Sequence, residues 1–206
     1  MNRSVSIRWL DKVDSTNNVA RSMLQSCDNL SVFAAEEQTC GRGQGDHSWH
    51  SRKGENLTFS IVLKFQEMTA LRAADALRIT EVITTAISSY LRGLGIATRI
   101  KWPNDIYVDN SKICGILIEN QFEGEMISSS IIGIGLNLNQ TTFPEDLPNP
   151  VSVAMLTNES YDPGTELKNL CGHICQTLEL LESAEGLNKL WNAFSSKLFN
   201  NPEVLK

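Results

Sequence analysis

No stretch of this sequence is long and apolar enough to span a bilayer, and the opening "MNRSVSIRWL" has no apolar run of the kind a secretory leader needs. An excess of basic residues is missing too. The net charge is −6, the opposite of what a free-standing nucleic-acid binder carries, so DNA binding is not expected. The five cysteines are odd in number and form no CxxC pair. Cys171 and Cys175 stand one helical turn apart, a spacing read as packing, so reduced thiols and a cytoplasmic location are expected. The three histidines, His47, His50 and His173, are too scattered to set out a zinc site, and no metal ligands are assigned. Two phosphate cradles are excluded. No Gly-rich loop ends in Lys-Ser or Lys-Thr, and no G-x-G-x-x-G opens a helix.

What remains is a chain with a hydrophobic fraction of 41%, enough for a sizeable core. Residues 5–10 read as a strand, and 14–27 as a helix with Asp14 or Ser15 as its N-cap and Val19, Met23 and Cys27 on one face. Residues 31–37 form a second strand. In "NLTFSIVLKF" the alternation of Leu57, Phe59, Ile61, Leu63 and Phe65 predicts a half-buried strand. Helical spacing extends from Leu71 to Leu94, with Gly93 and Gly95 ending it. Strands are predicted over 97–102, 112–120 and 127–139, with "DIYV" and the turn "VDNSK" before the second and "EGE" before the third. Helices over 164–183 and 186–199 close the chain, and "TTFPEDLPNP" reads as a linker. The mixed order predicts an α+β (mixed α/β) fold, a mixed sheet flanked by helices.

Three stretches carry candidate chemistry. The first is "CGRGQGDHSW", inside a poorly periodic segment over 38–55, where Gly41, Gly43 and Gly45 surround Arg42. Backbone N–H groups of such a loop can form a concave anion site, and Arg42 adds a planar cation suited to a carboxylate or phosphate. A plain surface loop is the alternative. Trp49 at its end suits a flat partner such as a nucleobase, or else anchors the loop in the core. The second is "RIKWPNDIYVDNSKICGILIE", which places Lys101, Asn104, Asp105, Lys112 and Gly115 within fifteen residues. Each lysine alone reads as a solvated charge; the cluster is harder to dismiss. The third is "IIGIGLNLN", where Gly133 and Gly135 interrupt a buried strand and Asn137 and Asn139 close it.

With "STNN" (15–18), "AEEQTCGRGQGDHSW" (35–49), "KWPNDIYV" (101–108), "KICGILIE" (112–119) and "GIGLNLN" (133–139), the chain resembles the biotin protein ligases, the biotin–[acetyl-CoA-carboxylase] ligases. The resemblance implies a catalytic domain with a sheet related to that of class II aminoacyl-tRNA synthetases. It also implies a two-step reaction. Biotin and ATP give biotinyl-5′-AMP and pyrophosphate, with Mg2+, and biotin then passes to a lysine of a biotin carboxyl carrier domain of a biotin-dependent carboxylase. The resemblance assigns Arg42 and Lys101 as catalytic cations offsetting the repulsion of two anions. Ser15, Thr16, Asn17, Gln38, Gly41, Arg42, Gly43, Gln44, Lys101, Gly115, Gly133 and Gly135 are expected around biotin, the last three glycines leaving room for its ring and chain. Arg42, Trp49, Lys101, Asn104, Lys112 and Asn137 are expected around the nucleotide.

The loop departs from the family pattern at Gln44 and Gly45, where basic residues are common, and at Asp46, where glycine is usual; weaker retention of the adenylate is implied. Residues 1–206 are expected to be one catalytic domain without an N-terminal winged helix, the family's small C-terminal β-domain missing after "NNPEVLK". No membrane partner is expected, and the oligomeric state is open, a homodimer included. The rivals are a lipoate–protein ligase-like enzyme, whose Arg-Arg-x-Ser-Gly-Gly-Gly stretch is absent, and a non-catalytic biotin- or nucleotide-binding module.

Overall fold

The computed structural model describes residues 5–45 and 47–199; Asp46 and "NNPEVLK" lie outside the described residues, and with them the loop departure at 46 and the expected C-terminal break. Eight strands form one sheet: β1 (Ser6–Val13), β2 (Ser31–Gln38), β3 (Leu57–Lys64), β4 (Leu71–Arg72), β5 (Arg99–Lys101), β6 (Asp105–Val108), β7 (Ser111–Glu123) and β8 (Met126–Leu136). Their order is β1-β2-β3-β8-β7-β6-β5, with β4 paired to β8 off this path. Among the strand pairs of the described residues, only β1 and β2 run parallel. A parallel pair needs a crossover, and here the crossover carries helix α1 (Thr16–Met23). The mixed α/β expectation holds.

The sheet's two faces do different work. On one, Leu57, Phe59, Ile61, Leu63 and Phe65 join the large core with Ile132, Ile134 and Leu136. Helices α2 (Leu77–Gly93), α4 (Pro163–Leu178) and α5 (Ala184–Ser195) add their apolar stripes to that core. Cys171 and Cys175 sit in it as packing residues. On the other face α1 covers a small cluster of Ala20, Leu24, Phe33, Val62 and Ile131, with Val19, Met23 and Cys27 packed against it.

Several predicted bounds move. β3 is buried on both faces rather than half-buried, because α1 and the cleft cover its second side. The helical period from Leu71 is broken at its start: Leu71 is buried as a strand residue paired with Ile127, and a 3-10 turn over Ala73–Asp75 precedes α2. The last helix ends at Ser195; residues 197–199 instead run beside β5, Ile100 N–H donating to Lys197 O at 2.8 Å and Phe199 N–H to Ile100 O at 2.8 Å. The supposed linker is tied down as well. Lys112 N–H donates to Asn149 O at 2.9 Å and Val151 N–H to Lys112 O at 3.0 Å, laying the Pro-rich segment against the start of β7. The short helix α3 (Val153–Thr157) follows, capped by Ser152.

Candidate active site

Antiparallel register puts directly paired residues on one face. One cross-strand row therefore reads Thr58, Gly135, Gly115, Asp105, Lys101 from β3 to β5. The next row holds Ser60, Gly133 and Leu117. Glycines at the centre of both rows leave a trough, which the N-terminus of α1 and the glycine loop roof over.

The floor beside α1 is polar and closely bonded. Ser15, in extended conformation, is the N-cap residue, and its N–H donates to Asp14 Oδ1 at 2.7 Å. Thr16 donates to Gln38 Oε1 from its N–H at 2.8 Å and from its hydroxyl at 3.1 Å. These two bonds fix the Gln38 amide, leaving Nε2 turned toward Gly41. Asn17 accepts from Ser60 Oγ at 2.6 Å and donates to Glu119 Oε2 at 2.8 Å. Its carboxamide fills the notch at Gly133: a Cβ there would lie 2.3 Å from Asn17 Oδ1.

The glycine loop is a small hairpin. Arg42 and Ser48 bridge, Gly43 N–H donates to His47 O at 2.7 Å, and Trp49 N–H donates to Gly41 O at 2.9 Å. The backbone amide of Gly43 is thus committed to the loop itself, a correction to the expected cradle of free N–H groups. The glycines serve the hairpin's close approach: a Cβ on Gly41 would lie 2.3 Å from Trp49 O and one on Gly43 3.0 Å from His47 O. Gly45 takes the turn with φ +62°. Arg42 of the loop lines the cleft.

Trp49 fills the trough. Its indole lies where side chains at Gly135 and Gly115 would be, 2.2 Å and 3.0 Å from their hypothetical Cβ atoms. The expectation that Gly115, Gly133 and Gly135 open space for a ligand is corrected to this extent: in this structure the protein's own Trp49, Lys112 and Asn17 occupy that space. The indole Nε1 is buried without a hydrogen-bond partner among the described residues, a situation that costs about 1–3 kcal/mol.

Trp49 also divides two cavities. The first, about 220 Å³, is lined by Ser15, Thr16, Asn17 and Gln38 on one side and by Arg42, Gly43 and Gln44 of the loop on another. Gly115, Gly133, Gly135, Asn104 and Lys112 complete the predicted residues found there. The second, about 310 Å³, is lined by Lys101, Tyr107, Asn137 and the Pro-rich segment through Phe143, Leu147 and Pro148. Trp49, Asp105 and Lys112 line both.

The two lysines are therefore not equivalent. Lys112 forms an ion pair with Asp105 Oδ2 at 2.8 Å and sits 5.8 Å from the Trp49 ring centroid. Lys101 rests over the Tyr107 ring at 5.6 Å and lines only the second cavity. Lys101 shares the cross-strand row of Gly115 and Gly135 and lines the second cavity, whereas Lys112 lines both. Asn137 is 3% exposed and donates to Val151 O at 3.0 Å, so its amide holds strands together beside the second cavity. Asn104 similarly donates to Ile116 O. Gly41 stands behind the wall of the first cavity and does not line it.

The sequence placed Asp105 in the lysine cluster without a stated role and did not single out Ser60 or Glu119. Register would have found all three: Asp105 opposes Lys101 across the turn, Ser60 opposes Gly133, and Glu119 follows Gly115 and Leu117 at period two. Burial pushes the Cys114 thiol well above its ordinary range, with Asp105 adding to it, and pushes Cys171 up to about 12. Both thiols are fully buried. No group of three His, Cys, Asp or Glu side chains clusters as a metal site among the described residues.

The family described as "Biotin/lipoate A/B protein ligase family" matches residues 9–137. The "Bifunctional ligase/repressor BirA" of Bacillus spizizenii is 33% identical over 162 residues, 75% of this chain and 48% of that protein. The "Biotin--[acetyl-CoA-carboxylase] ligase" of Paracoccus denitrificans is 29% identical over 164 residues, 75% of this chain and 65% of that protein. The chain thus spans about half to two thirds of the length of these relatives. Among solved structures, "Biotin protein ligase from Aquifex aeolicus in complex with biotin and ATP" superposes with a TM-score of 0.79 at 26% identity, covering 94% of this chain and 78% of that one.

Proposed function

Because the chain belongs to the biotin/lipoate A/B protein ligase family, we propose that it is an ATP-dependent biotin–protein ligase whose first cavity takes biotin and whose second takes the nucleotide. The observation that carries this reading is the shared wall: Lys112 lines both cavities, so one ammonium can reach an anion in each. The relatives' names support the substrate class, and the Aquifex aeolicus protein was solved with both small molecules.

The polar floor suits biotin's ureido ring. Ser15, Thr16, Asn17 and Gln38 offer donors and acceptors already oriented by their mutual bonds. The carboxylate then points toward Arg42 and Lys112. In the first step a carboxylate oxygen attacks the α-phosphorus of ATP, the bond to the β-phosphate oxygen breaks, and pyrophosphate leaves. Both reactants are anions, so fixed cations lower the barrier by offsetting their repulsion. Asp105 holds Lys112 at the junction, and Lys101 lies where the nucleotide's phosphates or base would sit beside Tyr107. In the second step a lysine amine of a carrier domain attacks the acyl carbon and AMP leaves. The enzyme needs no covalent nucleophile. Magnesium fits this chain as the counter-ion of the nucleotide's phosphates rather than as a caged ion, since the described residues supply Asp105 alone as a carboxylate shared by the two cavities.

Among the described residues no helix is long and apolar enough to cross a membrane, and we place the reaction in the cytoplasm, where carboxylase carrier domains would meet it. The test is mass spectrometry of a biotinyl carrier domain incubated with this chain, biotin and MgATP. One added biotinyl group on the acceptor lysine is expected. Transfer of lipoate in place of biotin, or tight biotin binding with no transfer and no pyrophosphate, would overturn the reading.

A further inference from the structure

One carboxylate outside both cavities gathers two residues that line the first, Asn17 and Arg42, together with Arg21. Glu119 Oε1 accepts from Arg21 Nη2 at 2.5 Å and lies 3.2 Å from Arg42 Nη2. Its Oε2 accepts from Asn17 Nδ2 at 2.8 Å. Asn18 Oδ1, 3.4 Å from a guanidinium nitrogen of each arginine, closes the group. We infer that Glu119 is a positioning residue: a clasp that ties Arg42 of the glycine loop to β7 and α1, and so presents the loop's cation to the first cavity. This rests on the reading of that cavity as the biotin site.

The need for a clasp follows from the loop's own bonding. The hydrogen bonds of Gly43 and Trp49 join the hairpin's two arms to each other and not to the sheet. At its base the chain is held by Thr39 N–H on Val13 O and Cys40 N–H on Asp14 O, both 2.9 Å. From there to Trp49, Arg42 supplies the ion pair that reaches β7. Arg21 explains how the clasp can hold Arg42 without cancelling it. Two guanidinium groups share one carboxylate, leaving a net positive charge facing the cavity. When Arg42 turns to an incoming anion, Arg21 still neutralises Glu119, so no carboxylate is left unpaired. The same carboxylate sets the orientation of the Asn17 amide, leaving its Oδ1 for Ser60. The arginines are partly exposed, 46% and 39%, so the clasp is screened by salt and reversible.

Glu119→Gln tests it, since the amide still accepts from Asn17 but has lost its charge. Amide exchange in the ligand-free protein is the first measurement. The Gly43 and Trp49 amides are expected to exchange about fivefold faster or more in the variant, with the melting temperature within about 3 °C of the parent. Arg42→Gln, which leaves the Asn17 contact untouched, is expected to give the same acceleration. Unchanged exchange in both variants overturns the clasp. The second measurement is biotin affinity by calorimetry. Glu119→Gln is expected to weaken binding about 5- to 20-fold in the parent background and hardly at all in Arg42→Ala. Equal losses in both backgrounds would mean that Glu119 does not act through Arg42. Failure of the parent to bind biotin would sink the functional reading, while amide exchange would still decide the clasp.

Discussion

Lys112 and Trp49 are the residues on which the site turns. Lys112 is held by Asp105 on one side and by the indole on the other, and with Asp105, Trp49, His47 and Ser48 it lines both cavities of the cleft. A charge-assisted hydrogen bond to a developing transition state is worth about 1.5–3 kcal/mol. Lys112→Ala is therefore expected to slow adenylate formation about 10- to 100-fold, measured as the single-turnover rate of pyrophosphate release. Lys101→Ala is expected to raise the KM for ATP with a smaller effect on that rate. The reverse ranking would return the central role to Lys101. The sequence stretch around both lysines was legible as a candidate site, but which cavities each lysine lines was not. That depends on strand register across β5, β6 and β7, and register is a long-range property. The pairing of Asn17 with Gly133 was hidden for the same reason: 116 positions separate them along the chain, and only the crossover of α1 brings them together.

At the scale of elements, alternation in β3 and helical spacing in α2 and α4 were readable because each element buries a continuous apolar stripe. The start of α2 was not, since Leu71 satisfies a helical period equally well in a two-residue strand against β8. The glycine loop was read as irregular; its hairpin is made by backbone bonds that leave no pattern in side chains. Helix ends follow local chemistry more closely. Ser183 Oγ accepts from Gly186 N–H at 3.0 Å and caps α5, while Gly186 lets the helix start against Leu180 O, 2.3 Å from a hypothetical Cβ. Ser183→Ala is expected to lower stability by about 1 kcal/mol, read from the urea midpoint at unchanged slope. No loss would mean that packing of Leu190 and Phe194 alone fixes α5. Because α5 leads to residues 197–199 beside β5, its register also supports the strand that ends in Lys101.

The whole molecule divides its sheet between stability and chemistry. One face is given to the large apolar core, the other to a small cluster under α1 and to a trough floored by Gly115, Gly133 and Gly135. Small residues that weaken a buried strand are retained where the trough needs depth. On the proposed function, this trough brings a carboxylate and a nucleotide α-phosphate together at Lys112 and Arg42. Exchange of labelled pyrophosphate into ATP reads that first step alone, without any carrier domain. Exchange is expected to require biotin and to fall about 10-fold or more in Lys112→Ala. Exchange that proceeds equally without biotin, or that is unchanged in Lys112→Ala, would contradict it.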